Sequence, residues 1–329
     1  MLQCRYALGL LACLVLPSLV VADAPVEHAH GVVVSVSRPA SEAGLTILQQ
    51  GGSAVDAAVA TAFALAVTHP AAGNIGGGGF MVVHPPKGKP TVIEYRETAP
   101  AAANKTMFLK DDSLYGPRVA GVPGTVRGMA LAHQQFGKLP WKTVVMPAVR
   151  LAQDGFTLDA HQANSINNIV TVADDFPELR RVFGRADGKR WKTGDRLMQP
   201  DLAKTLRMIA EDGADAFYSG PVADLIVAEM KTGGGVISKE DLAGYKAIQR
   251  EPIHGVYRGY DVYGPPPPSS GGICLVQMLN LLIYRGSHTG ARLEVLSPVI
   301  FVSSVSDCYE AILRRGEILY AASSKLPGR

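Results

Sequence analysis

The residue best suited to bind a small anion is Arg96, which ends a β-rich run and precedes the sequence Glu97-Thr98-Ala99-Pro100. A guanidinium is planar and can donate two parallel hydrogen bonds to one carboxylate. Alternation along a predicted strand from Thr91 to Arg96 places Glu94 and Arg96 on the same face. An ion pair with Glu94 or Glu97 is therefore the structural alternative to ligand binding, and the residues alone leave both interpretations open.

Four consecutive glycines, Gly76 to Gly79, form the second feature with a chemical interpretation. A nucleotide-binding phosphate loop has the order strand, glycines, helix, and it places the phosphate at the helix N-terminus. Here the predicted order is helix, glycines, strand, and no Gly-Lys-Ser/Thr follows, which argues against nucleotide binding. The glycines either let two layers of the fold pack closely or let a substrate approach the backbone.

These candidate residues depend on a helix and two strands. Ser53 and Asp56 have the spacing of a helix-capping pair, and the small apolar residues from Ala54 to Val67 predict a buried helix. Phe80 to Val83 is typical of a buried strand. With the second strand from Thr91 to Arg96, this places Arg96 at a strand end, close to the glycines.

The rest of the chain predicts further helices and strands, separated by glycines and prolines. Thr125 has the residue type of a helix cap, and Pro147 lies inside a helical pattern that it must kink or divide. The predicted strands are Gly31 to Ser37, Val119 to Gly124, and a hairpin from Ile253 to Tyr263 about Arg258-Gly259. The predicted helices are Arg38 to Gly51, Thr125 to Phe136, Trp141 to Asp154, Pro200 to Asp212, Pro221 to Lys231, Lys239 to Ala243 and Ile273 to Ile283.

Composition places the chain among ordinary globular proteins and excludes some partners. Its 329 residues are 47% hydrophobic and 19% charged, and the formal net charge is only +3. Because lysine and arginine are scattered, we do not expect a nucleic-acid partner. No cysteine or histidine spacing is typical of a metal site, so we predict neither a metal nor a cofactor.

The first 24 residues have the pattern of a secretory signal: a positive start, an apolar run from Tyr6 to Val21, and small residues at Ala22 to Ala24. An uncleaved anchor is the main alternative, but Pro17 interrupts the run, and it is shorter than the ~20 residues that a span needs. A lipoprotein cleavage site at Leu10 to Cys13 is a further alternative. We therefore expect a periplasmic or secreted protein with no stable membrane span.

Two cysteines, Cys274 and Cys308, follow the predicted signal. They could pair in an oxidising compartment, or Cys274 could be a separate buried thiol. We favour the second interpretation, a buried thiol at Cys274 and an incidental one at Cys308.

Several motifs, in this order, give the chain a family resemblance. They are Gly51-Gly52-Ser53-Ala54-Val55-Asp56-Ala57-Ala58-Val59-Ala60, Gly76-Gly77-Gly78-Gly79-Phe80-Met81, Arg96-Glu97-Thr98-Ala99-Pro100, Val122-Pro123-Gly124 and Pro266-Pro267-Pro268-Ser269-Ser270-Gly271-Gly272. Together they resemble the large subunit of a γ-glutamyltransferase. The matches recur in the family's order from Gly31 to Leu282.

This resemblance implies an α/β (α+β) fold of the N-terminal-nucleophile hydrolase type, an αββα sandwich. It also implies a precursor that cuts itself and exposes a threonine at the start of a small subunit. That threonine takes the γ-glutamyl group from glutathione or a related compound and passes it to water or an amino acid. By the same resemblance, Arg96 is the substrate-binding residue that holds the α-carboxylate of the glutamyl group.

The sequence departs from the family at the nucleophile. It contains no Thr-Thr pair of the kind that marks the family's cleavage junction, and the family pattern fades after Leu282. By the resemblance, Ser269 belongs to a connector of the large subunit, and Thr289 is no better placed as a nucleophile, so we predict no catalytic residue in this chain. The expected organisation is a signal peptide at 1–24, a large-subunit-like domain at 25–283 and a divergent tail at 284–329.

Two hypotheses follow from the missing threonine. Either a small subunit that carries the nucleophile completes the active site, or the chain is a truncated or frame-shifted relative that is inactive on its own. Both predict an incomplete sandwich, because the strands of the small subunit are lacking. Such a fold exposes sheet edges and apolar faces until another chain covers them.

Overall fold

The structure is a computed structural model that describes residues 30–108, 116–171, 176–289 and 321–322. The predicted signal at 1–24, Cys308 and most of the predicted tail lie outside the described residues. Helices and strands are both present, so the predicted mixed α/β class is confirmed. The helices are α1 (Arg38–Gln49), α2 (Ala54–Thr68), α3 (Thr125–Phe136), α4 (Trp141–Asp154), α5 (Ala160–Thr171), α6 (Pro177–Phe183), α7 (Pro200–Asp212), α8 (Asp215–Tyr218), α9 (Pro221–Thr232), α10 (Lys239–Gly244) and α11 (Gly271–Thr289).

The strands are short and form antiparallel pairs. They are β1 (Val32–Val33), β2 (Phe80–Val83), β3 (Thr91–Glu94), β4 (Phe156–Thr157), β5 (Arg196–Leu197), β6 (Ile248–Arg250), β7 (Ile253–Tyr257), β8 (Tyr260–Gly264) and β9 (Ala321–Ala322). Three of them form a sheet in the order β2, β3, β6, while β1 pairs with β9, β4 with β5 and β7 with β8.

Helix α2 is the centre of the core and begins as the sequence predicts. The Ser53 hydroxyl accepts a hydrogen bond from the Asp56 amide at 3.0 Å, and the Asp56 carboxylate accepts one from the Ser53 amide at 2.8 Å. This reciprocal capping satisfies two amides that helix geometry leaves unpaired. Asp56 is fully buried and also accepts a hydrogen bond from the Lys138 amide at 2.9 Å, which ties α2 to the turn after α3.

Close packing of α1 and α4 against α2 completes this helical core. A Cβ on Gly44 of α1 would collide with the Thr61 hydroxyl of α2, so the glycine permits the short distance between the two helices. On another side of α2, the Phe63 ring meets the Trp141 ring edge to face at a centroid distance of 5.7 Å. The Trp141 indole donates to the Ile209 carbonyl of α7 at 2.7 Å, and this links α2, α4 and α7.

The sheet of β2, β3 and β6 leads to the predicted strand end at Arg96. Phe80 pairs with Glu94, and one step further Gly79 and Tyr95 exchange backbone hydrogen bonds of 3.2 and 2.9 Å. The predicted hairpin is confirmed as β7 and β8, with positive φ angles at Arg258 and Gly259 in its turn. Helix α11 packs on this hairpin.

Several details differ from the sequence predictions. Strand β3 ends at Glu94, not at Arg96, and β1 covers only Val32 and Val33 of the strand predicted from Gly31 to Ser37. Val119 to Gly124 is not a strand: a 3-10 helix covers Pro117–Val119, and only Val122 pairs, by one bridge to Thr98. Pro123 follows immediately and has no amide with which to extend a ladder. At Pro147 the prediction left a kink and a division open, and helix α4 continues through this proline, which excludes the division.

Thr125 is not the predicted helix cap. The cap position is Gly124, which has no side chain to donate or accept, and the Thr125 hydroxyl donates instead to the Asn74 carboxamide oxygen at 3.1 Å. Within the described ranges, no helix is both long enough and apolar enough to cross a membrane.

Candidate functional site

The glycines Gly76 to Gly79, here called the glycine corner, are held against the start of α3. The Gly77 carbonyl accepts hydrogen bonds from the Gly124 and Thr125 amides at 2.7 and 3.0 Å. The Asn74 side chain accepts a hydrogen bond from the Gly77 amide at 2.7 Å. The first amides of α3 therefore bind a backbone carbonyl instead of a cap side chain, which explains why a glycine suffices at the cap position.

Gly78 brings the glycine corner against the backbone that carries Arg96. A Cβ on Gly78 would collide with the Tyr95 carbonyl oxygen and would lie 2.7 Å from the Glu97 amide nitrogen. Any side chain here would push the two segments apart. The glycines thus allow close packing, the first of the two alternatives that the sequence left open, while direct contact with a substrate stays a prediction.

Two glycines at the start of α3 complete this close packing. A Cβ on Gly128 would overlap the Tyr95 ring, and one on Gly124 would overlap both the Tyr95 carbonyl and the Tyr245 hydroxyl. Burial raises the pKa of Tyr95 well above its ordinary value, and this phenol stays neutral. Tyr95, the residue directly before Arg96, is thus packed against the start of α3.

Arg96 itself lies at the surface, with 53% of its side chain exposed, and its Nε is 3.2 Å from the Glu97 carboxylate. Of the two glutamates proposed as partners, Glu94 pairs elsewhere: its carboxylate accepts a hydrogen bond from Arg250 of β6 at 2.7 Å. An exposed ion pair contributes at most about 1 kcal/mol. A ligand carboxylate could therefore replace Glu97 as the partner of Arg96, or share Arg96 with it, at a small cost in free energy.

The residues from Arg96 to Ala101, here called the Arg96 segment, contact helix α10. The Tyr245 hydroxyl donates to the Arg96 carbonyl oxygen at 2.7 Å. The Asp241 carboxylate accepts a hydrogen bond from the Ala101 amide at 2.8 Å. Burial alone would raise the pKa of Asp241, but hydrogen bonds from the backbone of Ala101 and Ser238 outweigh it and lower this pKa.

The Tyr245 ring is fixed by a stack of aromatic and cationic groups. It lies parallel to the Tyr218 ring at a centroid distance of 6.0 Å, and the Arg127 guanidinium covers the Tyr218 ring at 4.4 Å. Burial, helped by the negative charges of Glu97 and Glu94, raises the pKa of Tyr245 to about 12. The phenol therefore keeps its proton, and remains a donor, throughout the neutral range.

Sequence reasoning found Arg96 but not its support by Tyr245. The two residues are separated by 149 positions along the chain, and no local pattern announces such a contact. Ser269, rejected above as a nucleophile, accepts a hydrogen bond from the Gly271 amide at 3.2 Å next to the first turn of α11. This local contact agrees with its assignment to a connector.

Comparisons with known proteins agree on one family. The family model described as Gamma-glutamyltranspeptidase matches residues 40–297. The Escherichia coli protein named glutathione hydrolase proenzyme is 48% identical over an alignment of 266 residues. The alignment covers 78% of this chain and 46% of that protein. The chain thus spans less than half of the length of the curated relatives it matches.

Solved structures show the same similarity in three dimensions. The Helicobacter pylori gamma-glutamyltranspeptidase superposes with a TM-score of 0.78 at 41% identity, covering 84% of this chain and 79% of that one. The Pseudomonas nitroreducens gamma-glutamyltranspeptidase, solved in complex with L-DON, gives a TM-score of 0.76 at 40% identity and covers 89% and 88% of the two chains.

Proposed function

The chain belongs to the gamma-glutamyltranspeptidase family, and we propose that it is the γ-glutamyl-binding part of a γ-glutamyltransferase or glutathione hydrolase. The observation that carries the proposal is the half-exposed Arg96 guanidinium, which lies just after β3 beside the glycine corner and pairs with the neighbouring Glu97 in a surface contact. A planar guanidinium in this setting suits the α-carboxylate of a γ-glutamyl donor.

The proposed reaction is acyl transfer. A threonine hydroxyl attacks the γ-carbonyl of glutathione, the amide C–N bond breaks, and the amine leaves with a proton while an ester joins the glutamyl group to the enzyme. Water or an amino acid then cleaves the ester and regenerates the hydroxyl. In this scheme Arg96 does no bond chemistry: it binds the donor and fixes the distance between the carbonyl and the nucleophile.

The nucleophile is proposed to come from a small-subunit segment that is not among these 329 residues, which contain no Thr-Thr junction. Exposed apolar surface supports a partner of this kind. Apolar side chains stand exposed along the sheet, the hairpin and α11: Val82, Ile248, Val256, Tyr260, Ile273, Leu275 and Leu281. A segment that adds strands and covers these side chains would complete the αββα sandwich.

Without such a segment the chain is proposed to be inactive, which is also what a truncated or frame-shifted relative would be. A positioned arginine cannot replace the covalent step, so binding residues alone give no turnover. The proposed location is the periplasm or the exterior, and this proposal rests on the apolar N-terminal 24 residues.

The test is to measure hydrolysis of γ-glutamyl p-nitroanilide by the chain alone and by the chain co-expressed with the threonine-bearing part of the Escherichia coli relative. We expect turnover only from the co-purified complex. The matched control is the same complex with the partner's nucleophilic threonine replaced by alanine, which should be inactive.

Each other outcome contradicts a defined part of the proposal. Turnover by the chain alone would show that the nucleophile is present in it. A stable complex without turnover would contradict the enzymatic function and favour an inactive relative. Failure of the two parts to co-purify would contradict the proposed docking surface.

A further inference from the structure

Helix α10 and the residue that directly follows it, Tyr245, hold the Arg96 segment at both ends. The Asp241 carboxylate binds the Ala101 amide at 2.8 Å, and the Tyr245 hydroxyl binds the Arg96 carbonyl at 2.7 Å. Asp241 lies in the helix, and Tyr245 is the extended C-cap residue with which the helix ends. The contacts thus act on the first residue of the family motif, Arg96, and on Ala101, the residue directly after it.

The helix that provides these contacts is itself firmly placed. Ser238 and Asp241 form a capping box, in which the Ser238 hydroxyl accepts from the Asp241 amide at 3.1 Å and the Asp241 carboxylate accepts from the Ser238 amide at 2.9 Å. Leu242, between the two contact residues, is fully buried. A short helix would otherwise fray, so the cap and the buried leucine keep Asp241 and Tyr245 in place.

The position of the Tyr245 hydroxyl is determined by its surroundings. Only 6% of Tyr245 is exposed, its ring is stacked on Tyr218, and its hydroxyl occupies the space where a Cβ on Gly124 would lie. The ring therefore has one location, and the hydroxyl points at the Arg96 carbonyl. Ring packing alone needs no hydroxyl, since phenylalanine would fill the same volume.

We propose that Tyr245 is a positioning residue for Arg96, a role that rests on the function proposed above. By holding the Arg96 carbonyl, the phenol fixes the Arg96–Glu97 peptide plane. This plane adjoins the Cα from which the Arg96 side chain projects toward the donor carboxylate. Preorganising a binding group in this way lowers the ordering cost of binding. Tyr245 does not touch the substrate in this scheme; it acts through Arg96.

The variant that tests this role is Tyr245→Phe, assayed in the complex with the threonine-bearing partner. We expect KM for γ-glutamyl p-nitroanilide to rise about threefold to tenfold, the range for loss of one hydrogen bond, with a smaller change in kcat. The matched control is Tyr218→Phe. It removes a neighbouring buried hydroxyl, which accepts a hydrogen bond from the Arg127 amide at 3.1 Å, and it keeps the ring on which Tyr245 stacks. Its KM should stay at the wild-type value.

A second donor separates positioning from general damage to the fold. The 4-aminobutyryl anilide has the same reacting amide as the γ-glutamyl anilide but lacks the α-carboxylate. Tyr245→Phe should lower the ratio of kcat/KM for the γ-glutamyl donor to kcat/KM for this analogue. A purely structural role would reduce both values equally and leave the ratio unchanged.

The hydrogen bond can also be observed without turnover. Labelling arginine carbonyls with carbon-13 and glutamate amides with nitrogen-15 selects only the Arg96–Glu97 and Arg250–Glu251 peptide bonds, the two Arg-Glu pairs in the sequence. Tyr245→Phe should shift the Arg96 carbonyl signal, whereas the Arg250 signal is the internal reference. Tyr218→Phe should shift neither.

The outcomes distinguish this inference from the function on which it rests. A wild-type complex without turnover contradicts the proposed function, and the positioning role is rejected with it. With an active wild type, an unchanged donor ratio in Tyr245→Phe overturns the positioning role alone, even where the carbonyl signal shifts. An unshifted carbonyl signal overturns it as well, because the hydrogen bond would then be absent.

Discussion

Helices α2 and α11 are both rich in apolar residues, yet the described part of the chain covers them very differently. Helix α2 is surrounded by α1, α3 and α4, and Phe63 near its middle is only 1% exposed. Helix α11 packs on one side against the β7–β8 hairpin, while Leu281 on it is 54% exposed. The first helix belongs to a self-sufficient core, and the second has the exposed apolar surface expected at an interface.

Arg96 combines a hydrogen-bonded backbone with an exposed side chain. The Arg96 carbonyl accepts a hydrogen bond from Tyr245, and the preceding residue, Tyr95, packs closely on α3. The Arg96 guanidinium nevertheless remains at the surface. A binding group that is precisely supported and still open to solvent suits a site that another segment closes. If this contrast holds, changes in α2 lower stability, whereas changes at Arg96 lower substrate binding and changes on the exposed face of α11 lower assembly.

The largest expected effect is on the core side. Phe63→Ala removes a ring that packs edge to face on Trp141, and it should lower the free energy of unfolding by about 3–5 kcal/mol, as large-to-small substitutions in cores do. Urea unfolding monitored by circular dichroism measures this loss. A loss below about 1 kcal/mol would contradict the view that α2 is the centre of a self-sufficient core.

The next largest effect is on activity. Arg96→Ala should lower kcat/KM for γ-glutamyl p-nitroanilide by about 10²–10³-fold in the complex, because two charge-assisted hydrogen bonds to the donor carboxylate are lost. Its unfolding free energy should change by less than about 0.5 kcal/mol, since the side chain is exposed. The matched control is Arg96→Lys, which keeps the charge but loses the planar fork. Its kcat/KM should lie between those of the wild type and Arg96→Ala.

Unchanged kinetics in Arg96→Ala would remove Arg96 from the proposed site. A large loss of stability in the same variant would instead assign Arg96 to the fold, and this would erase the contrast between the two regions.

The same contrast explains how much the sequence could predict. Both capping pairs, Ser53 with Asp56 and Ser238 with Asp241, were predictable because each depends on residues three positions apart. The hairpin turn at Arg258-Gly259 is equally local. The family motifs identified Arg96 as a candidate, but they could not say which glutamate it pairs with.

What the sequence could not predict depends on contacts between distant residues. Thr125 has the residue type of a cap, but the Gly77 carbonyl already binds the first amides of α3, so its hydroxyl binds Asn74 instead. Val122 has the residue type of a strand, but its ladder ends after one bridge because Pro123 has no amide. Glu94 pairs with Arg250 because β3 and β6 are neighbours, a pairing that alternation along one strand does not reveal.

The smallest expected effect tests the exposed face of α11 directly. Leu281→Ser should change the unfolding free energy of the chain by less than about 0.5 kcal/mol, because the side chain is already exposed. It should weaken the complex with the threonine-bearing partner about fivefold, since the apolar side chain would no longer be buried on assembly. Isothermal titration calorimetry of the two purified parts measures the dissociation constant.

The matched control for this variant is Leu225→Ser on α9, an exposed leucine on a helix that packs against α8 and α10. Leu225 is 70% exposed, more than Leu281, so exposure alone would predict at least as large an effect. If assembly uses the α11 face, Leu225→Ser should leave the dissociation constant unchanged while Leu281→Ser raises it. Equal weakening by both variants would mean that exposed leucines contribute equally to binding wherever they lie. This outcome would contradict the proposal that α11 is part of the docking surface.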